Sequence, residues 1–391
     1  MDLKLRILIV SSLGSADRRG YRKKWGSFMK VLLVSKLDRF ARSVYTITKY
    51  VQVGAELGHE VAVFGEKASE APNLPYTLDV RGFDFAVFVV YESWDFPDMP
   101  YLAQLLDGVP KDRRVIIDCY GRYNDTIRTE HDFNHLEKMD GHQGWEWLEG
   151  FQAVSNRILQ PALKPLRSDV RSFLWHGFDP GAVALHHASA VEAAQSWSLK
   201  SKERPYGMIY VGHNWQRWSQ MSRLLLALEP LRPNIGPICL AGSDWDKRPE
   251  WAEQLGILGA SVEPELLERV GVQTKPSIPF DEVISFTGQA RFSPIIHRPL
   301  FNHLGMVTNR TFATFCADTV PLLMLPEEMV DTVYGPKARL LTLGDDVAGK
   351  LTDILRRPEP YWDAVLQTRL HLAEYHSFQR RFGELRRILM N

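Results

Sequence analysis

Residues 29–64 read MKVLLVSKLDRFARSVYTITKYVQVGAELGHEVAVF, and this stretch decides the fold. Residues 31–35 form a short apolar run, as a strand buried on both faces requires. Val44, Ile47, Val51 and Ala55 then fall on one helical face, and Gly58 predicts the stop. EVAVF (60–64) is a second apolar run. Strand, amphipathic helix and strand in this order predict a parallel pair, because only a crossover helix returns the chain to the same sheet edge.

The same alternation continues outward. Strands are predicted at FAVFVV (85–90), RVIID (114–118), FQAVS (151–155) and VRSFLW (170–175). A second series opens at GMIYVG (207–212). It continues through PICLAG (237–242), GVQTK (271–275), ARFSPII (290–296), TVPLLML (319–325) and ARLLTL (338–343). Two helical stretches close the chain, one with Trp362, Val365, Leu366 and Ala373 on a face, the other with Phe378, Phe382, Leu385 and Leu389. The reading is an α/β protein of two Rossmann-like doubly wound lobes with a cleft between them. Expected boundaries are 29–180 for the first, acceptor-side lobe, 181–205 for the connection and 206–357 for the second, donor-side lobe. Residues 358–391 are expected to cross back to the first lobe. Residues 4–10 (KLRILIV) also resemble an opening strand, but a basic linker separates them from Met29. Met29 is therefore expected to begin the folded part and residues 1–28 to be an extension, with Met1 or Met29 as the start.

A chain of 391 residues exceeds one ordinary core, which agrees with two lobes. Lys plus Arg (47) balances Asp plus Glu (47), so the charge surplus of a nucleic-acid or anionic-lipid binder is absent. No nucleic-acid partner and no transmembrane segment are expected. Cys119, Cys239 and Cys316 lie far apart, without metal-ligand spacing, and fit a reducing cytoplasm.

Four stretches carry a resemblance to a known family. Phe173-Leu174-Trp175-His176-Gly177-Phe178-Asp179 resembles the turn that ends the first lobe of GT-B glycosyltransferases. Tyr210-Val211-Gly212-His213-Asn214-Trp215 resembles the strand end opening their second lobe, and Ala241-Gly242-Ser243 the turn after the next strand. Arg310-Thr311-Phe312-Ala313-Thr314-Phe315-Cys316-Ala317-Asp318 resembles a motif of the "glycosyl transferases group 1", spore-maturation-type branch. The resemblance implies sugar transfer from a nucleotide-diphosphate donor, with no cofactor, to a carbohydrate, lipid-linked, protein or small-molecule acceptor. Many retaining members carry two glutamates eight positions apart, where this chain has Gly305 and Ala313, so the stereochemical outcome does not follow. A sugar-nucleotide epimerase of the same architecture and a non-catalytic sugar-binding or structural protein are the alternatives.

Breaking a nucleotide-sugar bond builds negative charge on the diphosphate, so a site needs cationic or amide donors there. Residues 297–311 (HRPLFNHLGMVTNRT) run from a strand end through a Gly-containing turn into a helix start. Thr308 or Asn309 is expected to cap that helix, whose free N–H groups favour an anion. Candidate donor-binding residues are Gly212, Asn214, Arg217, Arg298, Gly305, Asn309, Arg310 and Thr311. Strand-end polar groups of the first lobe include Lys36, Asp38, Arg39, Glu92, Asp95, Asp118, Asp125 and His176. Asp118 and His176 are the catalytic candidates. Asp244-Trp245-Asp246 imitates an Asp-x-Asp metal motif but lies in a turn of the second lobe. His131 and His135 lack a third ligand, and no metal site is expected.

Overall fold

The computed structural model describes residues 28–37, 44–91, 99, 101–121, 123, 143–200, 203–254 and 261–391. The expectations placed on residues 1–27, Asp38, Arg39, Glu92, Asp95, Asp125, His131 and His135 lie outside the described residues.

Two parallel sheets organise the chain. The first has seven strands: β1 (Lys30–Val34), β2 (Glu60–Phe64), β3 (Tyr76–Thr77), β4 (Phe85–Val90), β5 (Arg114–Asp118), β6 (Ile158–Gln160) and β7 (Val170–Ser172). Their order is β3-β2-β1-β4-β5-β6-β7. The second has β8 (Tyr206–Val211), β9 (Ile238–Ala241), β10 (Val272–Lys275), β11 (Ala290–Ile296) and β12 (Val320–Met324), ordered β10-β9-β8-β11-β12. In both, the order reverses beside the first strand, between β1 and β4 and between β8 and β11. Ligands of doubly wound sheets bind outside the strands' carboxyl ends at such reversals.

The longer helices of the first lobe are α1 (Val44–Glu56), α2 (Leu102–Gly108) and α3 (Gln143–Val154). Alternation along β1 sends Val31 and Leu33 to one face of the sheet and Leu32 and Val34 to the other, where separate apolar clusters form. The helix face of α1 that is buried is Thr46, Ile47, Tyr50, Val53 and Gly54, and Val44, Val51 and Ala55 lie outside it. The expected face was rotated because a second helix, far along the chain, also covers α1.

Around the second sheet lie α4 (Ala190–Lys200), α5 (Trp218–Leu228), α6 (Pro264–Val270), α7 (Phe280–Thr287), α8 (Pro299–Leu304), α9 (Asn309–Cys316) and α10 (Val347–Arg356). The helix α11 (Pro358–Tyr375) packs on α4. The chain then crosses to the first lobe, where α12 (Phe378–Met390) sets Phe382, Leu385 and Leu389 against α1 and its cluster. The outgoing segment 175–179 and the returning 376–378 run side by side. Phe178 N donates to His376 O (2.8 Å), and Phe178 and Ser377 form an isolated parallel bridge.

Two strand expectations are corrected. Residues 151–155 belong to α3 and the turn after it, because Phe151 and Val154 are buried while Gln152 and Ala153 are exposed, a helical spacing. Residues 338–343 lie mainly in a tight 3-10 helix spanning Pro336–Leu341. Ala338 and Leu341 are its buried positions, three apart, and Pro336 presets its first turn.

Candidate functional site

At the reversal of the second sheet, β8 leads into Gly212 and β11 leads into His297 and Arg298. Gly212 has φ +147°, and its Cα is approached by the Arg310 guanidinium: a Cβ there would stand 2.7 Å from Arg310 Cζ. Only glycine accommodates both the backbone angle and this approach. Arg310 itself is fixed from β8. Its Nη1 donates to Tyr210 Oη (2.8 Å), and its guanidinium sits 4.8 Å from the Tyr210 ring centroid. Tyr210 is fully buried, so the arginine rests on a rigid support.

His297 sits behind these groups, buried, with neither ring nitrogen hydrogen-bonded. Burial, aided by the charges of Arg217, Arg310 and Arg298, pushes its pKa down to about 3. The imidazole is therefore neutral, and three guanidiniums lie near enough to act on it. His297 was absent from the sequence candidates, although a polar residue ending the apolar run ARFSPII was a usable signal.

Asn309 and Arg310 open α9, whose cap is Thr308. Thr311 Oγ1 accepts from Thr308 N (3.1 Å), so Thr311 serves the helix end from inside. Asn309 faces the first lobe: Thr46 Oγ1 on α1 donates to Asn309 Oδ1 (2.8 Å) and lies 3.2 Å from His176 Nδ1. The Thr46 proton goes to Asn309, so His176 Nδ1 is the donor to Thr46. Burial pushes the His176 pKa down to about 3 and keeps it neutral. His176, Thr46 and Asn309 thus join the two lobes beside the Arg310 site. Tyr45 and Lys49 extend the seam by binding Asp179, at 3.0 and 2.6 Å.

Other candidates are placed differently. Arg298 reaches across the cleft, donating from Nη2 to Tyr120 O (3.0 Å) with its guanidinium 4.0 Å from the Phe301 ring. The Gly305 turn is joined to the first lobe through Leu163 N to Gly305 O (3.1 Å), Lys164 N to Leu304 O (3.0 Å) and Val307 N to Pro161 O (2.7 Å). Arg217 Nη1 donates to His213 O and Trp215 O, at 3.1 and 3.0 Å, and ties its own loop. Asn214 is fully buried, its Nδ2 donating to Asp244 O (2.8 Å) and Ser261 O (3.0 Å). Asp118 is fully buried inside the first lobe, accepting from Tyr123 N (2.9 Å) and Gln160 Nε2 (2.8 Å). Ala313 is buried on α9. Among the described residues no group of three or more His, Cys, Asp or Glu could hold a metal ion. No described helix is long and apolar enough to cross a membrane.

No family model and no curated protein matches the chain. Solved structures do. An alpha-glucosyltransferase in complex with UDP and a 13-mer DNA is similar at TM-score 0.56 and 11% identity, over 94% of this chain and 100% of that one. Sucrose-phosphate synthase from Thermosynechococcus elongatus is similar at TM-score 0.55 and 12% identity, over 93% and 99%. T4 phage BGT in complex with UDP and Mn2+ is similar at TM-score 0.53 and 10% identity, over 93% and 100%. The likeness covers nearly the whole chain, and the chain carries the two-lobed GT-B fold found in glycosyltransferases.

Proposed function

We propose that this chain transfers a sugar from a nucleoside-diphosphate donor, held in the second lobe, to an acceptor presented by the first. The observation that carries the reading is Arg310. It lies half-buried at the sheet's reversal, against a glycine, on an aromatic support, with no carboxylate partner among the described residues. A cation so placed favours an anionic ligand, and the first turn of α9 adds backbone N–H groups beside it. Arg217 and His297 reinforce this end, while Arg298 holds the cleft shut against Tyr120. The leaving diphosphate gains charge as the glycosidic bond breaks. The groups that bind it therefore also stabilise the transition state. His176 keeps Thr46 and Asn309 in register across the cleft. Asp118, engaged within its own lobe, has no part in this scheme. Three buried cysteines outside any disulfide support a reducing compartment such as the cytoplasm.

The test is calorimetric titration of Arg310→Ala with a uridine diphosphate sugar. Loss of a charge-assisted contact lowers affinity roughly 10- to 150-fold. The fold survives, because the Thr308–Thr311 cap is untouched. Unchanged affinity in a folded variant removes this site. Release of nucleoside diphosphate only when an acceptor is added separates transfer from epimerisation.

A further inference from the structure

We infer that Asp244, Ser243 and His213 form a hydroxyl-recognition site beside the arginines, taking the vicinal diol of a sugar ring attached to the diphosphate; this rests on the diphosphate reading of Arg310. Among the described residues the non-glycine positions with positive φ are Tyr101, Gln216 (φ +54°) and Asp244 (φ +66°). Two of the three lie on the loops leaving β8 and β9, at the edge where Arg310 sits. Such backbone is kept where surrounding structure fixes it, commonly at binding sites.

The fixing groups are visible. Asn214 N donates to Ser243 O (3.0 Å), Asn214 Nδ2 to Asp244 O (2.8 Å), and the buried Trp245 Nε1 to Gly212 O (2.6 Å). Gly242, at φ +142°, lets the two loops touch: a Cβ there would stand 2.5 Å from the Gly212 carbonyl carbon. The main chain of this turn is thus held from the core side, and its polar side chains are left on the accessible side. Ser243 and His213 are exposed and Asp244 is half-buried.

Those side chains form an ordered row. Ser243 Oγ donates to Asp244 Oδ2 (3.0 Å), and Ser243 Oγ lies 2.6 Å from His213 Nδ1. Because the serine proton goes to the carboxylate, His213 Nδ1 carries the proton it shares with Ser243. The row presents a carboxylate that accepts one bond and enters no salt bridge among the described residues. Gly212 separates this row from Arg310, touching the arginine with its Cα and the Gly242 turn with its carbonyl. An arginine suited to phosphate, next to an acceptor-only carboxylate suited to hydroxyl donors, matches the alternation of diphosphate and sugar ring in a nucleotide sugar. Asp246, the other acid of this turn, is exposed, and between them Trp245 points into the core, so the pair is not arranged for a metal.

The test titrates the full chain and two variants, Asp244→Asn and Asp244→Gly, with pyrophosphate, uridine diphosphate, its 2′,3′-dideoxy analogue and uridine diphosphate glucose. Both variants accept positive φ, so the loop is retained, and thermal melting checks this. The expected result is a loss of roughly 10- to 150-fold for ligands carrying the recognised diol, with pyrophosphate affinity changed less than about twofold. A loss shared by both natural nucleotides and absent in the dideoxy analogue assigns the pentose ring. A loss confined to the glucose conjugate assigns the hexose. Unchanged nucleotide affinity, or an equal loss for pyrophosphate, overturns the site while leaving the Arg310 reading in place. Wild-type protein that binds none of the four overturns both.

Discussion

The Arg310 guanidinium lies against the Cα of Gly212, with Cζ 2.7 Å from where a Cβ would be. Gly212→Ala must therefore displace the arginine. The arginine's end is flexible, so the fold is expected to survive, with backbone strain of about 1–3 kcal/mol. Uridine diphosphate affinity falls at least about tenfold. Titration and thermal melting of the same preparation check both halves. A folded variant with full affinity would show that Arg310 takes no part in binding.

Stability falls with acid in a defined window. Burial pushes His176, His297 and His376 each down to about 3, against the ordinary 6.5. Between those values the unfolded chain binds more protons than the folded one, so stability rises with pH. It is fully present above 6.5 and is lost as pH falls toward 3. Each imidazole contributes a loss of up to about 1.4 kcal/mol per pH unit in that window. Urea midpoints at pH 7.5 and 5 measure it. His297→Asn is expected to reduce the pH dependence, and an unaltered slope would mean that His297 is protonated freely in the folded protein.

Arg369 on α11 holds the far end of α9. Its Nε donates to Phe315 O (2.8 Å), Nη2 to Ala317 O (2.9 Å) and Nη1 to Leu185 O (3.2 Å). Burial lowers its pKa to about 10, so it stays charged at neutral pH. It caps the carbonyl end of the helix whose amide end bears Asn309 and Arg310. Arg369→Met leaves three carbonyls, two of them in buried hydrogen bonds, without this donor and is expected to cost about 3–5 kcal/mol by urea unfolding. Arg369→Lys, retaining the charge with one nitrogen, should recover part of it. A loss below about 1 kcal/mol would show that water replaces the guanidinium.

The sheet strands were legible because strands covered on both faces are apolar runs: EVAVF, FAVFVV, RVIID and ARFSPII match β2, β4, β5 and β11 residue for residue. The reading failed where a short apolar run had helical spacing, at Phe151 and Val154, and where a period of three mimicked a strand, at Ala338 and Leu341. At the proposed site, Gly212 and Arg217 were readable as candidates from their positions after a strand end, and Arg310 from its position at a helix start. What a carboxylate touches was not. Asp118 ends a strand, a position suited to a catalytic acid, but Gln160, on the neighbouring strand, binds it within the lobe. Gly305 reads as a turn, and its φ of +61° agrees, yet its contact with Leu163 belongs to the other lobe. Local sequence carries such pairings poorly, because they are set by tertiary packing.

The return of α12 to the first lobe has a consequence for how the protein is made. Phe382, Leu385 and Leu389 cover Tyr50, Val61 and their neighbours, and they are synthesised only after the entire second lobe. A ribosome releases the first lobe with α1 and part of one side of its sheet uncovered, while lobes elsewhere commonly close as they emerge. The lobe that is translated first is completed last. Its bare flank is then the surface a chaperone would meet, and the second lobe must fold without trapping it.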